Sequence, residues 1–354
     1  MQDNVSAGDA ASLKIHHEDI ETGRPITFGH KVVDKDEIIA FGRAFDPQPM
    51  HVDEEAAKAS PVGGLCASGW HTCAMMMRMI CDGPLSNTAS LGSPGVDEVR
   101  WTKPVRPGDV LSCRHVYVEK RDLASRPDVG ISKIKLELVD GSGDVLAWWH
   151  TNQLTRKRRP GVTPIAPAGS KPPRQPLISL WERPAQPQPP ARSMFFEDRQ
   201  IGETTDFGRH TFNRDEIVAF ARAFDPQPFH LDDAAAKASL FGALCASGWH
   251  TAAIFIREVV TNRLNAESAV QVAGERQPAY GPSPGFRNLS WPKPVFVGDT
   301  ITFRARLAEK IDLKSRPHRG ILVSQVQARN QNGEIVFALL SQILADRREP
   351  YRPA

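Results

Sequence analysis

Residues 36–72 read DEIIAFGRAFDPQPMHVDEEAAKASPVGGLCASGWHT, and residues 215–251 read DEIVAFARAFDPQPFHLDDAAAKASLFGALCASGWHT, with about three quarters of the positions identical. Further on, WTKPVRPGD from Trp101 returns as WPKPVFVGD from Trp291, and KRDLASRPDVGI from Lys120 returns as KIDLKSRPHRGI from Lys310. The openings correspond too, His17-Glu18-Asp19-Ile20 with Gly23 against Phe196-Glu197-Asp198-Arg199 with Gly202. The spacing leaves about eleven extra residues in the second copy, within 261–283. Solenoid repeats run roughly 20–50 residues, so this much longer period means one domain present twice. At 354 residues, each copy is long enough to bury its own core.

The duplication divides the chain into an N-terminal domain over 1–159, a linker over 160–192 and a C-terminal domain over 193–354. The linker is rich in Pro, with Gly, Ala, Ser and Gln, and too poor in apolar residues to fold alone; it reads as a semi-stiff extended connector. Leu177-Ile178-Ser179-Leu180-Trp181 interrupts it as a segment that can dock on a neighbouring surface. A net charge of +3 is too balanced for a nucleic-acid binder, and Arg156-Lys157-Arg158-Arg159 reads as a solvated strand end. Five Cys with no C-x-x-C argue against a disulfide framework or zinc site and for a reducing compartment. Met1-Gln2-Asp3-Asn4 opens no secretory signal, and no apolar run approaches ~18 residues. The expectation is a soluble cytoplasmic protein, bound to neither membrane nor nucleic acid.

Both copies order their elements alike. A strand (27–33; 206–212) leads to a helix (34–44; 213–223) with Asp34 or Asn213 as N-cap and acidic residues in the first turn. A proline-punctuated turn and a short Ala-rich helix follow. The next helix opens at Ala-Ser-Gly and is apolar nearly all round, which predicts burial. Strand patterns over 96–105, 110–120, 131–140 and 144–155 recur over 286–295, 299–310, 321–329 and 334–346. One buried helix with about five antiparallel strands predicts a sheet wrapped round a helix in each copy.

The candidate chemistry lies in Asp46-Pro47-Gln48-Pro49-Met50-His51 and Asp225-Pro226-Gln227-Pro228-Phe229-His230. Two prolines one residue apart predict a rigid extended turn holding a carboxylate and an imidazole at a set separation. Such a pair suits general acid–base work on a water molecule. The competing reading is a capping Asp and a satisfied packing His. Divergence is uneven, however: strands 110–119 and 300–309 have drifted while the turn is nearly unchanged. The unchanged stretch ends in Ser68-Gly69 and Ser247-Gly248 at a helix start, where free N–H groups can meet a developing oxyanion. His71 and His250 read as packing residues, and Met75–Met77 as core or tunnel lining. Arg121, Arg126, Lys314 and Arg316 read as solvated cations of long strand-connecting loops, with contact to phosphates as the alternative.

The Asp-x-x-Pro-x-His turn, the small Ala57 or Ala236 about six positions later, and the Gly-opened buried helix resemble the MaoC-like acyl dehydratases, which include (R)-specific enoyl-CoA hydratases. The Glu-Asp-x-x-x-Gly opening and the Lys-Pro-Val-x-x-Gly-Asp turn fit them as well. The resemblance covers nearly all of both copies. It implies an α+β tandem hot-dog fold and hydration of a 2-enoyl thioester of CoA or acyl carrier protein, with no metal or organic cofactor. It assigns water activation to Asp46, His51, Asp225 and His230, and carbonyl polarisation to the N–H of Gly69 or Gly248, with Ser68 and Ser247 beside them. The pattern departs in Gln48 and Gln227, where Asn is usual, in Ala44-Phe45 and Ala223-Phe224 for Ser-Gly, and in Ser-Gly for His-Gly at the helix start. A hot-dog thioesterase and a non-catalytic acyl-CoA-binding protein are the rival functions. The two halves are expected to pack as an intramolecular pseudo-dimer, and whole chains could pair further as homodimers.

Overall fold

The computed structural model describes residues 14–161, 179–182, 195–272, 278 and 280–352. In the N-terminal half, β1 (Pro25–Val32) leads to α1 (Lys35–Phe45), the one-turn α2 (Pro49–Val52), α3 (Glu54–Ala59) and the central α4 (Gly69–Asp82). Then come β2 (Ser90–Gly92), β3 (Gly95–Trp101), β4 (Val110–Leu123), β5 (Arg126–Val139) and β6 (Val145–Arg156). The C-terminal half repeats this with β7 (Thr204–Thr211), α5 (Arg214–Phe224), a 3₁₀ turn (Pro228–His230), α6 (Asp233–Lys237) and α7 (Gly248–Val272). It closes with β8 (Tyr280–Gly281), β9 (Gly285–Ser290), β10 (Thr300–Asp312), β11 (Arg319–Arg329) and β12 (Ile335–Asp346).

Local chemistry accounts for the helix starts. Asp34 accepts the Glu37 N–H at 2.8 Å, and Asn213 forms a reciprocal capping box with Glu216. In each half an antiparallel sheet wraps the central helix, which is the tandem hot-dog arrangement. The two sheets merge, because β3 pairs antiparallel with β9 in the order β1-β4-β5-β6-β3-β9-β12-β11-β10-β7. Gly95 and Gly285 make this seam feasible: both have positive φ, and a Cβ there would lie 2.2 Å from the Leu289 carbonyl oxygen or 1.9 Å from that of Val99. The seam buries the sheet edge that each half would otherwise expose. One apolar core runs through both halves, with Phe41 against Phe224 and Phe45 against Phe220.

Several local expectations need correction. The proline segment is not extended throughout: Gln48 is extended, but Pro49 opens a helical turn, its fixed φ suiting a first helical position. Arg121 lies within β4 and Arg126 opens β5, since two residues suffice for that hairpin. The Arg156–Arg159 cluster is not simply solvated. Lys157 is buried on Asp122 at 2.9 Å, and Arg158 pairs with Asp19, tying the strand end to the N-terminal turn. Most of the 160–192 linker lies outside the described residues. Within 179–182, Leu180 is buried and its N–H meets the Gln327 side chain at 2.8 Å, while Arg304 and Arg329 lie over the Trp181 ring. The extra stretch of the second copy lengthens the central helix, α7 having 25 residues against 14 in α4; residues 273–277 and 279 lie outside the described set. Among the described residues, no helix is long and apolar enough to cross a membrane, and no cluster of three or more His, Cys, Asp or Glu could hold a metal ion.

Candidate active site

Asp46 follows the last residue of α1, and His51 sits on α2; the helical turn between them brings both side chains to the start of α4. Asp46 is 2% exposed and His51 6%. A carboxylate this buried must be hydrogen-bonded, and its donors are local: Ser68 Oγ to Oδ2 at 2.6 Å and Gln48 Nε2 to Oδ1 at 2.9 Å. Ser68 also accepts the Trp70 N–H, so its hydroxyl is committed to holding Asp46 and capping α4.

The His51 ring is oriented by its Nδ1, 2.8 Å from the carbonyl oxygen of Cys66. A carbonyl only accepts, so Nδ1 carries a proton, which leaves Nε2 as the ring nitrogen that can take up or give one. Nε2 stands 3.6 Å from Asp46 Oδ2, too long for a direct hydrogen bond. The two groups therefore converge without satisfying one another, a spacing that lets one water touch both. Cys66 lies beside the ring, but burial pushes its thiol up to about 11, so it stays protonated.

The second copy repeats this geometry. Ser247 and Gln227 hold Asp225 at 2.6 and 2.9 Å, His230 Nδ1 meets the Cys245 carbonyl at 2.8 Å, and His230 Nε2 lies 3.6 Å from Asp225 Oδ2. Gly69 and Gly248 open α4 and α7, so neither N–H has an intrahelical acceptor. An indole covers each glycine: a Cβ would lie 2.4 Å from Trp101 or from Trp291. Ala57 and Ala236, the small residues after each turn, are fully buried.

What differs is the space in front of the pairs. Asp46, His51 and Gly69 line a cavity of about 1250 Å³ that continues along the other half, past Phe255, Ala305, Leu307 and Val326. The second cavity holds about 110 Å³; Asp225 and His230 do not line it, but it touches Gln227, Trp249 and Trp291, which flank them, and otherwise lies between α4, the segment that follows it and the N-terminal sheet. Of the four cations singled out in the sequence, Arg316 lines the large cavity. Met75 and Met76 are core, whereas Met77 lines the small cavity.

Two cross-half contacts reach the turns that carry these pairs. Arg263, in the extended part of α7, donates to Gln48 Oε1 at 2.9 Å, and Cys81 of α4 donates to Asp225 Oδ1 at 3.3 Å. The extra residues at 261–283 were the only sequence signal for Arg263, and nothing local indicated its target.

His71 and His250 stand outside both pairs, stacked on Phe41 and Phe220 at 4.5 and 4.6 Å. Burial, reinforced by the charges of His210, Arg257 and His230, pushes His250 down to about 3 from an ordinary 6.5. Burial also lowers His71, against the pull of Glu37. The native state keeps His250 neutral while the unfolded chain takes up a proton below pH 6.5. Its contribution is therefore complete above 6.5 and is lost as pH falls from 6.5 toward 3, by up to ~1.4 kcal/mol per pH unit. Thermal melting followed from pH 7 to pH 4 is expected to show falling Tm, and His250→Phe, which preserves the stack, should flatten the slope.

The model described as MaoC like domain matches this chain twice, over residues 13–137 and 197–328. A 3-hydroxybutyryl-CoA dehydratase of Methylorubrum extorquens is 28% identical over 129 residues, which cover 36% of this chain and 73% of that protein. A MaoC domain protein from Chloroflexus aurantiacus superposes with TM-score 0.75 at 15% identity, covering 95% of this chain and 98% of that one. A double hot-dog protein of Mycobacterium tuberculosis gives TM-score 0.66 at 15% identity, over 94% and 99% of the two chains. At such identities the structural likeness is one of fold, but the model match spans well over half of the residues and both halves: the chain belongs to the MaoC-like dehydratase family.

Proposed function

We propose that the protein is a hydro-lyase that adds water reversibly to a 2-enoyl-CoA, giving the 3-hydroxyacyl-CoA, with Asp46 and His51 as its principal acid–base pair. The observation that carries this reading is the convergence of Asp46, His51 and the opening glycine of α4 on one large cavity. The family and the 3-hydroxybutyryl-CoA dehydratase relative support the same chemistry.

In this reading the thioester oxygen accepts from the Gly69 N–H, where the helix dipole favours the negative charge of an enolate. Water lies between Asp46 Oδ2 and His51 Nε2. Asp46 accepts one of its hydrogens and fixes its direction, and His51 takes the other as the water oxygen bonds to Cβ. The imidazolium then returns that proton to Cα, so one O–H bond and the C=C π bond break while C–O and C–H bonds form. Ser68 and Gln48 are positioning residues, since their polar groups hold the carboxylate. The halves act as an intramolecular pseudo-dimer, one supplying the chemistry and the other much of the acyl cavity. Arg316, in the cavity wall with no ion pair among the described residues, suits a CoA phosphate. All five cysteines are free, which supports a reducing, cytoplasmic setting.

Mixing the protein with crotonyl-CoA and with 2-decenoyl-CoA is the direct test. The expected result is loss of the enoyl absorbance without thiol release. Thiol release would instead identify a thioesterase, and binding without either change a non-catalytic acyl-CoA receptor.

A further inference from the structure

Resting on that hydratase reading, we infer that Asp225 and His230 form a second active site restricted to short-chain 2-enoyl-CoA, of about four to six carbons, while Asp46 and His51 serve long chains. The two pairs have the same internal distances, and in each half an indole covers the opening glycine of the central helix. A degenerate copy would have no need to keep an unsatisfied His Nε2 facing a carboxylate. Cys81 does not disable the second pair: it donates to Oδ1, the oxygen already held by Gln227, and leaves Oδ2 toward His230.

The division comes from the walls. Where the large cavity has Ala305, Leu307 and Ser324, the repeat places His115, Tyr117 and Ile134 along the small one. These bulkier side chains are held in place, Tyr117 by its hydroxyl on Gln153 at 3.2 Å and His115 by edge contacts with Phe28 and Tyr117. The remaining 110 Å³ admits about four groups the size of a methylene or water at ~30 Å³ each. Polarity points the same way. His115 Nε2 and Trp149 Nε1 belong to residues of this wall and are buried without a hydrogen-bond partner. A long hydrocarbon tail would leave such groups unpaired, whereas a four-carbon chain leaves room for a water.

The test compares crotonyl-CoA with 2-decenoyl-CoA turnover in the full chain carrying His51→Ala or His230→Ala, with Asp46→Asn as a second N-terminal variant and melting curves to confirm folding. The crotonyl-to-decenoyl rate ratio is expected to rise at least tenfold in His51→Ala and to fall in His230→Ala. Adding His115→Ala and Tyr117→Leu to the His51→Ala chain should restore decenoyl turnover. Loss of both activities in folded His51→Ala and Asp46→Asn chains would overturn the proposal, as would an unchanged ratio. A parent chain inert toward both substrates would overturn the hydratase reading itself.

Discussion

Asp46→Asn is expected to lower 2-decenoyl-CoA hydration by ~10²–10⁴, the range typical of removing a positioned acid–base group, while the chain stays folded. The amide oxygen can still accept from Ser68 or Gln48, so most of the local network survives. What disappears is the negative charge that orients the water and stabilises the imidazolium of His51, 3.6 Å away. Steady-state rates together with a urea melt separate the two accounts of this residue. A folded, slow variant supports the chemical role. A variant that unfolds while its small surviving folded fraction turns over normally would show that Asp46 only secures the turn.

Gly69→Ala is expected to damage both stability and turnover. The new Cβ would stand 2.4 Å from Cε2 and 2.6 Å from Cδ2 of Trp101, well inside any real carbon–carbon contact. The obstacle is a rigid ring rather than a flexible chain end, and that ring meets Trp70 and Phe286 edge-on at 5.8 and 5.7 Å. Either the indole or the start of α4 must shift. Overpacking of this kind costs ~1–3 kcal/mol, readable as a lower urea midpoint. Because the Gly69 N–H is the proposed donor to the thioester oxygen, a shift of the helix start should also cut kcat more than it raises KM. A melt and rates equal to the parent's would mean that the indole moves freely and that the close contact has no function.

The duplication, the element order and the closeness of Asp to His in each repeated turn are legible in the sequence because they depend on short-range rules. Asp34 and Asn213 cap helices through donors three residues away, the strands declare themselves by alternation, and two prolines confine the turn between Asp46 and His51. The hydrogen bond from Ser68 to Asp46 is a finding of the structure, since the sequence reading places Ser68 beside the substrate instead. The unequal volume of the two cavities is not legible in this way. It arises because β3 pairs with β9, which lays each half's sheet across the other half's pair, so that Ala305 and Leu307 shape the space before Asp46 while His115 and Tyr117 fill the counterpart space. Arg263 meets Gln48, and Cys81 meets Asp225, across more than a hundred residues of chain. Local patterns determine which face of each element is apolar and where each element begins and ends. Which edge meets which, and how much volume is left open between them, is decided when side chains remote in the chain compete for the same space.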